Sequence, residues 1–385
     1  MSSNAPTAPE SRFRYSDDFS DTVNSFYHSP GNRALVPAGT GAGENILALC
    51  LRPKLIGETA LTVHDVPPLL PGVRSPRVLE LSPYEDFKSG HRPDVAVIGI
   101  AGYGQPPDVP LMRQKVATDL SHLLAQEHGV AIGYAHGGRG SPRPETERAL
   151  WGVGKILNVT GQETSAIARN LRNRNPEMKY VLAGHSQGGQ TAGHILRQPE
   201  PFGFRRESLR GAVLWNPIPM PHSQSMLTNR EFLPLILRSL PSLFKSLFSG
   251  RGITFSDALA YELFFGEGNP EQSEIRRLLN RSFPAAAAYF PQTLTTGTSP
   301  SFKKEQLKGL PISVVASTED QLMPLSGVRN TADYLERRAG ADVKLFEIPG
   351  KHYSALVTID EESPERVRLI RDVNRQAMEH AFSKL

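Results

Sequence analysis

A serine between two glycines is the residue best placed to act as a nucleophile. The segment Gly184-His-Ser-Gln-Gly188 follows an apolar run at 179–183 and precedes a helical pattern at 187–197. A sharp turn from a strand into a helix leaves room only for small flanking residues, and glycine supplies them. The N-terminal N–H groups of the following helix favour negative charge that develops near the serine. The segment therefore predicts Ser186 as a nucleophile.

A serine hydroxyl is a weak nucleophile and needs a base that a third group holds in place. Glu319 and Asp320 follow the apolar run at 311–316, and His352 follows the run at 342–348. The order serine, acid, histidine, each just beyond a strand, is the triad order found where the nucleophile lies on a strand–turn–helix elbow. Because these residues lie more than 130 positions after the serine, their order supports Ser186 independently of the glycine motif. His352 is the predicted base, and an acidic residue at 319 or 320 is the predicted acid.

His185 is next to the serine and is a second candidate for the base. Neighbouring residues on a sharp turn point in different directions. We therefore expect His185 to be a packing residue, and not the group that takes the proton from Ser186.

The elements that would carry these residues alternate between apolar runs and helical patterns. Such alternation predicts an α/β protein with a mostly parallel, doubly wound sheet. Residues after the strands would then meet at one edge. Two runs at 59–66 and 77–81 form the start of the sheet. The predicted parallel strands are 94–101, 129–134, 179–184, 209–215, 311–316 and 342–348, and the predicted helices are 111–127, 161–174, 187–197, 326–338 and about 363–383.

The alternation stops between about 218 and 305, where only helical patterns are found. A helical block between two core strands indicates an inserted cap, here 218–305, over a core formed by 46–217 and 306–385. Residues 1–45 are rich in Ser, Pro, Gly and Asn and lack periodicity, so they are predicted to be a flexible N-terminal arm.

Over about residues 50–385 the chain resembles the α/β-hydrolase family with a helical cap. The segment from Ser317 to Pro324 is similar to the acid loop of that family, in which an aspartate lies four residues before a proline. This similarity favours Asp320 over Glu319. The segment 349–352 resembles the terminal histidine loop, which again gives His352 as the base.

The resemblance also implies an oxyanion hole made of two backbone N–H groups. One belongs to Gln187, directly after the nucleophile, and the other to Tyr103 in the loop after the strand 94–101. Many relatives carry His-Gly where this chain has Ala101 and Gly102. The chain departs from the family pattern there, although the glycine that permits the turn is kept.

The resemblance implies a serine hydrolase of the esterase, lysophospholipase or monoglyceride-lipase kind, which cleaves carboxylic esters through an acyl-enzyme. A thioesterase or acyltransferase would use the same triad and is an alternative hypothesis. A non-catalytic ligand receptor with the same fold is a third hypothesis. The apolar residues of the predicted cap either pack it onto the sheet or line a channel for an apolar acyl or alkyl group. They are Phe232, Leu240, Phe244, Phe248, Phe264 and Phe265.

Composition narrows the classes of partner. With 43 basic and 39 acidic residues the formal net charge is only +4, and the basic residues are scattered apart from short clusters such as 169–174, so no nucleic-acid groove is predicted. One cysteine excludes an internal disulfide and a multi-thiolate metal site. The proposed chemistry needs no cofactor or metal.

The apolar runs are shorter than the roughly 20 residues of a membrane span, and the N-terminus lacks a secretory pattern. These features predict a cytoplasmic protein, with non-Sec export left open, that acts on a small-molecule ester. The oligomeric state is not indicated.

Overall fold

The computed structural model describes residues 54–56, 59–66, 76–102, 129–135, 153–220, 257–264, 300–356 and 364–385, together with isolated positions between 237 and 248. The predicted arm at 1–45 and the predicted helix at 111–127 lie outside the described residues. Most of the predicted cap also lies outside them.

Nine strands are described. In chain order, β1 to β9 are Lys54–Ile56, Thr59–Asp65, Arg77–Pro83, Val95–Ile100, Val130–Ala135, Lys179–His185, Leu209–Trp215, Pro311–Ser317 and Asp342–Ile348. They form one sheet in the order β1-β2-β3-β5-β4-β6-β7-β8-β9. The strands β1 to β3 are joined antiparallel, and β3 pairs antiparallel with β5. From β5 to β9 along the sheet every pairing is parallel. The six runs predicted as parallel strands form this part, and β1 was not predicted.

The central strands are buried on both faces. Every residue of β4, β5 and β8 is buried, although successive side chains point to opposite faces. Continuous apolar runs are what a sheet covered on both sides requires. The edge strand β9 differs, because most of its residues are exposed or half-buried and it carries Lys344 and Glu347. Charged side chains on an edge strand discourage pairing with another chain.

Six α-helices are described, and four of them pack on the parallel strands. The helices α1 to α6 are Tyr84–Ser89, Val153–Arg174, Gln187–Arg197, Asp257–Phe264, Leu325–Arg337 and Pro364–Ala381. Helix α2 contacts β4 and β5, α3 contacts β4, β6 and β7, and α5 and α6 contact the strands toward β9. The predicted start of α2 at 161 is wrong, because the helix begins at Val153. None of the helices in the described part of the chain combines the length and the apolar character that crossing a membrane requires.

The strand order reverses at β4. Its neighbours β5 and β6 lie on opposite sides of it, and such a reversal opens a crevice at the carboxyl ends of parallel strands. The register aligns these ends, since Ile100 pairs with Gly184, His185 with Trp215, and Ser317 with Ile348. The loops after β4, β6, β8 and β9 therefore leave the sheet along one edge.

Candidate active site

Ser186 occupies a strained turn between β6 and α3. Its backbone φ is 55° and its ψ is −118°. This region of conformation is uncommon for a residue with a side chain and persists only where neighbours enforce it. Here the N–H of Ser186 donates to the carbonyl of Trp215 at 2.9 Å, and its own carbonyl accepts from the N–H groups of Gly189 at 3.0 Å and Ile218 at 3.2 Å. Three backbone bonds hold the turn at the end of the sheet.

Close backbone contacts explain the two glycines of the motif. A Cβ on Gly184 would lie 2.5 Å from the carbonyl oxygen of Gly188, and one on Gly188 would lie 2.0 Å from that of Ile100. Both distances are far below a van der Waals contact. The start of α3 consequently packs directly against the end of β4, as the sequence motif predicts for a turn of small residues.

Asp320 and His352 form a buried hydrogen bond. Nδ1 of His352 lies 2.7 Å from Oδ2 of Asp320, and the residues are 3% and 6% exposed. The other carboxylate oxygen accepts from the N–H groups of Leu322 at 2.8 Å and Met323 at 2.9 Å. The carboxylate is thus fixed by its own loop. Because a carboxylate oxygen accepts, Nδ1 of His352 donates this hydrogen bond, and in a neutral imidazole with this tautomer Nε2 is the nitrogen that can accept a proton.

Glu319, the other acidic candidate, points elsewhere. It is exposed, and its carboxylate lies 3.9 Å from the guanidinium of Arg366. The structure therefore brings Asp320 to the imidazole of His352 and leaves Glu319 on the surface.

His185, the residue before Ser186, contacts His352. Nε2 of His185 lies 2.9 Å from the carbonyl oxygen of His352, and the two imidazole rings are 4.6 Å apart. Burial lowers the pKa of His185 well below its usual range, and the nearby imidazole of His352 lowers it further. His185 is therefore a neutral, fully buried side chain. This contact places the loop of His352 against the turn of Ser186.

Of the two predicted oxyanion donors, only Gln187 lies within the described residues. Gln187 is the first residue of α3 and is buried. Gly102 follows β4, and a Cβ on it would lie 3.1 Å from Cβ of Ser186. The loop after β4 therefore lies against the turn of Ser186. Tyr103, the next residue and the predicted second donor, lies outside the described residues.

Asn216 was not singled out from the sequence. It directly follows β7, has a φ of 41° and is completely buried. Its Nδ2 donates to the carbonyl of His352 and to Oγ of Ser317, both at 2.9 Å, and its Oδ1 accepts from the N–H of Ser317 at 2.7 Å. An asparagine directly after a buried strand was the available signal, since asparagine tolerates positive φ better than most residues.

One helix of the predicted cap lies beside His352 and Tyr353. The N–H of Tyr353 donates to the carbonyl of Phe264 at 2.9 Å, and the two rings stack at 4.7 Å. The ring of Phe264 also lies 5.9 Å from that of His352. Of the other cap residues, Phe244 and Phe248 are exposed. Leu240 is half-buried, and Phe232 and Phe265 lie outside the described residues.

The model of the alpha/beta hydrolase family matches residues 35–368 of the sequence. The chain belongs to the alpha/beta hydrolase family. The prediction of this fold and of a hydrolase is confirmed. The match begins within the segment predicted as an N-terminal arm. A comparison with curated proteins finds no match.

Solved structures of other hydrolases resemble this α/β hydrolase weakly. A serine hydrolase from Cycloclasticus zankles is 16% identical, with 84% of this chain and 99% of that chain covered and a TM-score of 0.47. The 2-hydroxy-6-oxo-6-phenylhexa-2,4-dienoate hydrolase of Rhodococcus sp. strain RHA1 is 13% identical, with 81% and 99% covered and a TM-score of 0.45. A soluble variant of monoglyceride lipase from Saccharomyces cerevisiae is 13% identical, with 90% and 98% covered and a TM-score of 0.47. At these scores the likenesses add nothing to the family match.

In the part of this α/β hydrolase that the structure describes, no group of three or more His, Cys, Asp or Glu side chains is arranged to hold a metal ion. The groups gathered at the sheet edge are instead a hydroxyl, an imidazole and a carboxylate. These are the groups of proton transfer and nucleophilic attack.

Proposed function

We propose that this α/β hydrolase cleaves carboxylic esters through a covalent acyl-enzyme on Ser186. The observation that supports the proposal is the buried 2.7 Å hydrogen bond between His352 and Asp320. It lies at the same sheet edge as the strained turn of Ser186, and His185 joins the two loops. A neutral imidazole whose Nδ1 hydrogen is held by a carboxylate presents Nε2 as a base.

In the proposed mechanism Nε2 of His352 takes the hydroxyl proton of Ser186 as Oγ attacks the ester carbonyl carbon. Asp320 stabilises the imidazolium that forms. The imidazolium then gives its proton to the leaving alcohol as the ester C–O bond breaks. Water, deprotonated by His352, attacks the acyl-enzyme, and the proton returns to Oγ as the acid leaves.

The proposed oxyanion donors are the backbone N–H groups of Gln187 and Tyr103. A donor aimed at the developing negative oxygen is worth about 3 kcal/mol of transition-state stabilisation. Two features support the assignment. Gln187 begins α3, so its N–H is at the positive end of the helix dipole. Gly102, next to Tyr103, approaches the nucleophile turn within van der Waals distance.

The substrate we propose is an ester with an apolar acyl or alkyl group of small or medium size. The buried ring of Phe264 stands beside the base, on a helix that lies within the segment 218–305. We propose that this segment forms a cap over the sheet edge. Each CH₂ group that such a surface removes from water contributes about 0.8 kcal/mol, so even a short apolar channel would select strongly among acyl chains.

A fluorophosphonate probe tests the nucleophile. We expect the wild type to be labelled covalently and Ser186→Ala to remain unlabelled. Ser313→Ala is the matched control, because Ser313 is a fully buried serine of β8 whose Oγ donates to the carbonyl of Ala377 at 2.6 Å. This control should label as the wild type does. A wild type that stays unlabelled and cleaves no ester would contradict the proposal and favour a ligand receptor.

A graded series of p-nitrophenyl esters tests the substrate class. We expect kcat/KM to rise from acetate toward longer acyl chains, because burial of each added CH₂ favours binding. Product analysis with competing alcohols or thiols separates hydrolysis from acyl transfer. Free acid as the main product supports the ester hydrolase, whereas a new ester or thioester as the main product would identify an acyltransferase.

A further inference from the structure

Two side chains donate hydrogen bonds to one backbone oxygen of the proposed base. The carbonyl oxygen of His352 accepts from Nε2 of His185 at 2.9 Å and from Nδ2 of Asn216 at 2.9 Å. All three residues are at most 3% exposed. A carbonyl oxygen has two lone pairs, and each of them accepts one of these hydrogen bonds. Both donors bind the backbone of His352 and form no hydrogen bond with its imidazole.

We infer that His185 and Asn216 are positioning residues, which set the direction of the His352 imidazole by fixing its carbonyl. The inference rests on the proposed function, in which His352 is the base. Neither residue is assigned a part in the proton transfer itself.

The donor on the first side is defined by chemistry. A carbonyl oxygen only accepts, so Nε2 of His185 carries the hydrogen, and the neutral ring has no hydrogen on Nδ1. That nitrogen faces the loop after β4, since a Cβ on Gly102 would lie 2.9 Å from it. His185 is also bonded covalently to Ser186. One rigid side chain thus contacts the base loop and the proposed oxyanion loop, and its backbone carries the nucleophile.

The donor on the second side connects the base loop to the acid loop. Oδ1 of Asn216 accepts from the N–H of Ser317 at the end of β8. Its Nδ2 donates to Oγ of Ser317 and to the carbonyl of His352. Its backbone N–H donates to the carbonyl of Val315 at 2.8 Å. Asp320 lies three residues after Ser317. The same side chain therefore fixes the loops that carry the acid and the base relative to each other.

Loss of either donor should misdirect the imidazole. Asp320 binds Nδ1 of the His352 imidazole, and the two donors bind the backbone carbonyl of the same residue. His352 is therefore held at its side chain and at its backbone. With one donor removed, the backbone can turn while the Asp320 bond is kept, and Nε2 then points in a different direction relative to the turn of Ser186. Misplacement of a reacting group by about 1 Å can cost about 100-fold in rate.

The test uses two variants that remove one donor each with little change of shape. His185→Phe keeps a planar ring without the N–H. Asn216→Asp keeps the oxygen that accepts from Ser317 and replaces the amide donor with an oxygen. His185→Gln is a milder variant that keeps an amide donor, and it should restore part of the activity lost in His185→Phe.

The chain offers a matched control for each variant. His380 is a buried histidine whose Nε2 donates to the carbonyl of Asp342 at 3.0 Å. Asn175 is a half-buried asparagine shortly before β6 whose Nδ2 donates to the carbonyl of Pro93 at 3.1 Å and whose Oδ1 accepts from the N–H of Glu177 at 3.1 Å. His380→Phe and Asn175→Asp remove the same kinds of bond away from the loops of Ser186, Asp320 and His352.

Two readouts separate positioning from general stability. In steady-state kinetics on a p-nitrophenyl ester, we expect both site variants to lower kcat by about 10- to 100-fold with KM nearly unchanged. The rate of fluorophosphonate labelling should fall in parallel. In NMR spectra of protein labelled with ¹⁵N-histidine, the downfield Nδ1 proton of the His352–Asp320 bond should shift or broaden in the site variants. The controls should keep the wild-type kcat and this resonance.

The double variant gives a further check. Since both donors act through one oxygen, the combined loss in kcat should be smaller than the product of the two separate losses. Folded site variants with wild-type kcat and an unchanged Nδ1 resonance would overturn the inference. Equal losses in the site variants and their controls would overturn it too. A wild type that neither labels nor cleaves esters refutes the proposed function, and the NMR comparison then decides the positioning by itself.

Discussion

Asp320 uses its two carboxylate oxygens for different tasks. Oδ2 accepts from the imidazole of His352 at 2.7 Å, whereas Oδ1 accepts from two N–H groups of its own loop. The oxygen that faces the imidazole is thereby held in place before any substrate arrives. Preorganisation of this kind lowers the cost of stabilising charge in the transition state.

Asp320→Asn should abolish most turnover and leave the fold intact. The amide nitrogen of asparagine cannot accept the Nδ1 hydrogen, so the imidazole loses its correct tautomer and its charge stabilisation. We expect kcat to fall by about 10⁴-fold. Steady-state kinetics on a p-nitrophenyl ester, with thermal unfolding as a check of folding, measures this. Glu319→Gln is the control, and it should retain activity because Glu319 is exposed and lies beside Arg366. The reverse pattern would move the acid to Glu319.

Gly188→Ala should destabilise the protein strongly. Its Cβ would meet the carbonyl oxygen of Ile100 at 2.0 Å, so β4 and α3 would have to separate. Overpacking of this severity costs about 3 kcal/mol of the free energy of unfolding. Gly90→Ala is the comparison, because Gly90 has a φ of 81° with nothing near its Cβ position, and the conformational cost alone is about 1 kcal/mol. Urea unfolding gives both values. Equal losses would show that the close approach is not what requires glycine.

The sequence predicts the parts of the fold that local chemistry determines. Five of the six parallel strands were found because they are largely apolar runs, as burial on both faces demands, whereas the edge strand β9 mixes apolar with charged residues. The positions of Ser186, Asp320 and His352 were predicted for a related reason. Each follows a predicted strand, and parallel strands bring their carboxyl ends to one edge.

The features that the sequence did not predict depend on contacts between distant segments. Helix α2 starts at Val153, although Gly154 and Gly161 lower its intrinsic helix propensity. Gly161 packs so closely that a Cβ there would lie 2.4 Å from the ring of Phe202. The part of Asn216 was also not predicted, because its partner His352 lies 136 residues later in the chain. A local sequence pattern cannot predict a contact between residues so far apart in the chain.

Arg174→Met should destabilise the sheet on the side of β3. Glu80 is a buried carboxylate that accepts hydrogen bonds from Arg174 and, at 3.3 Å, from Arg92. The side chain of Arg174 is 24% exposed and that of Arg92 is 44% exposed. Removing the more buried guanidinium leaves Glu80 poorly compensated, so we expect a loss of about 2–3 kcal/mol, reduced from the fully buried case by solvent screening. Arg92→Met should cost under about 1 kcal/mol. Equal unfolding free energies of the two variants in urea would contradict this ranking.

The unfolding free energy of the wild type should fall in acid, in part because of His185. Burial lowers the pKa of its imidazole well below the usual value of 6.5 in the folded protein. Above that value neither state binds the proton, so His185 adds no pH dependence. Below it the unfolded chain takes up a proton that the folded protein refuses, which favours unfolding by up to about 1.4 kcal/mol per pH unit. Urea unfolding between about pH 7.5 and about pH 5.5 should therefore show a loss in the wild type that exceeds the loss in His185→Phe by about 1.4 kcal/mol. Groups that do not contact residue 185 titrate alike in both proteins, so the difference reports on the imidazole of His185 and its contact with His352. Equal pH dependence in the two would mean that the imidazole of His185 accepts a proton as readily when folded as when unfolded.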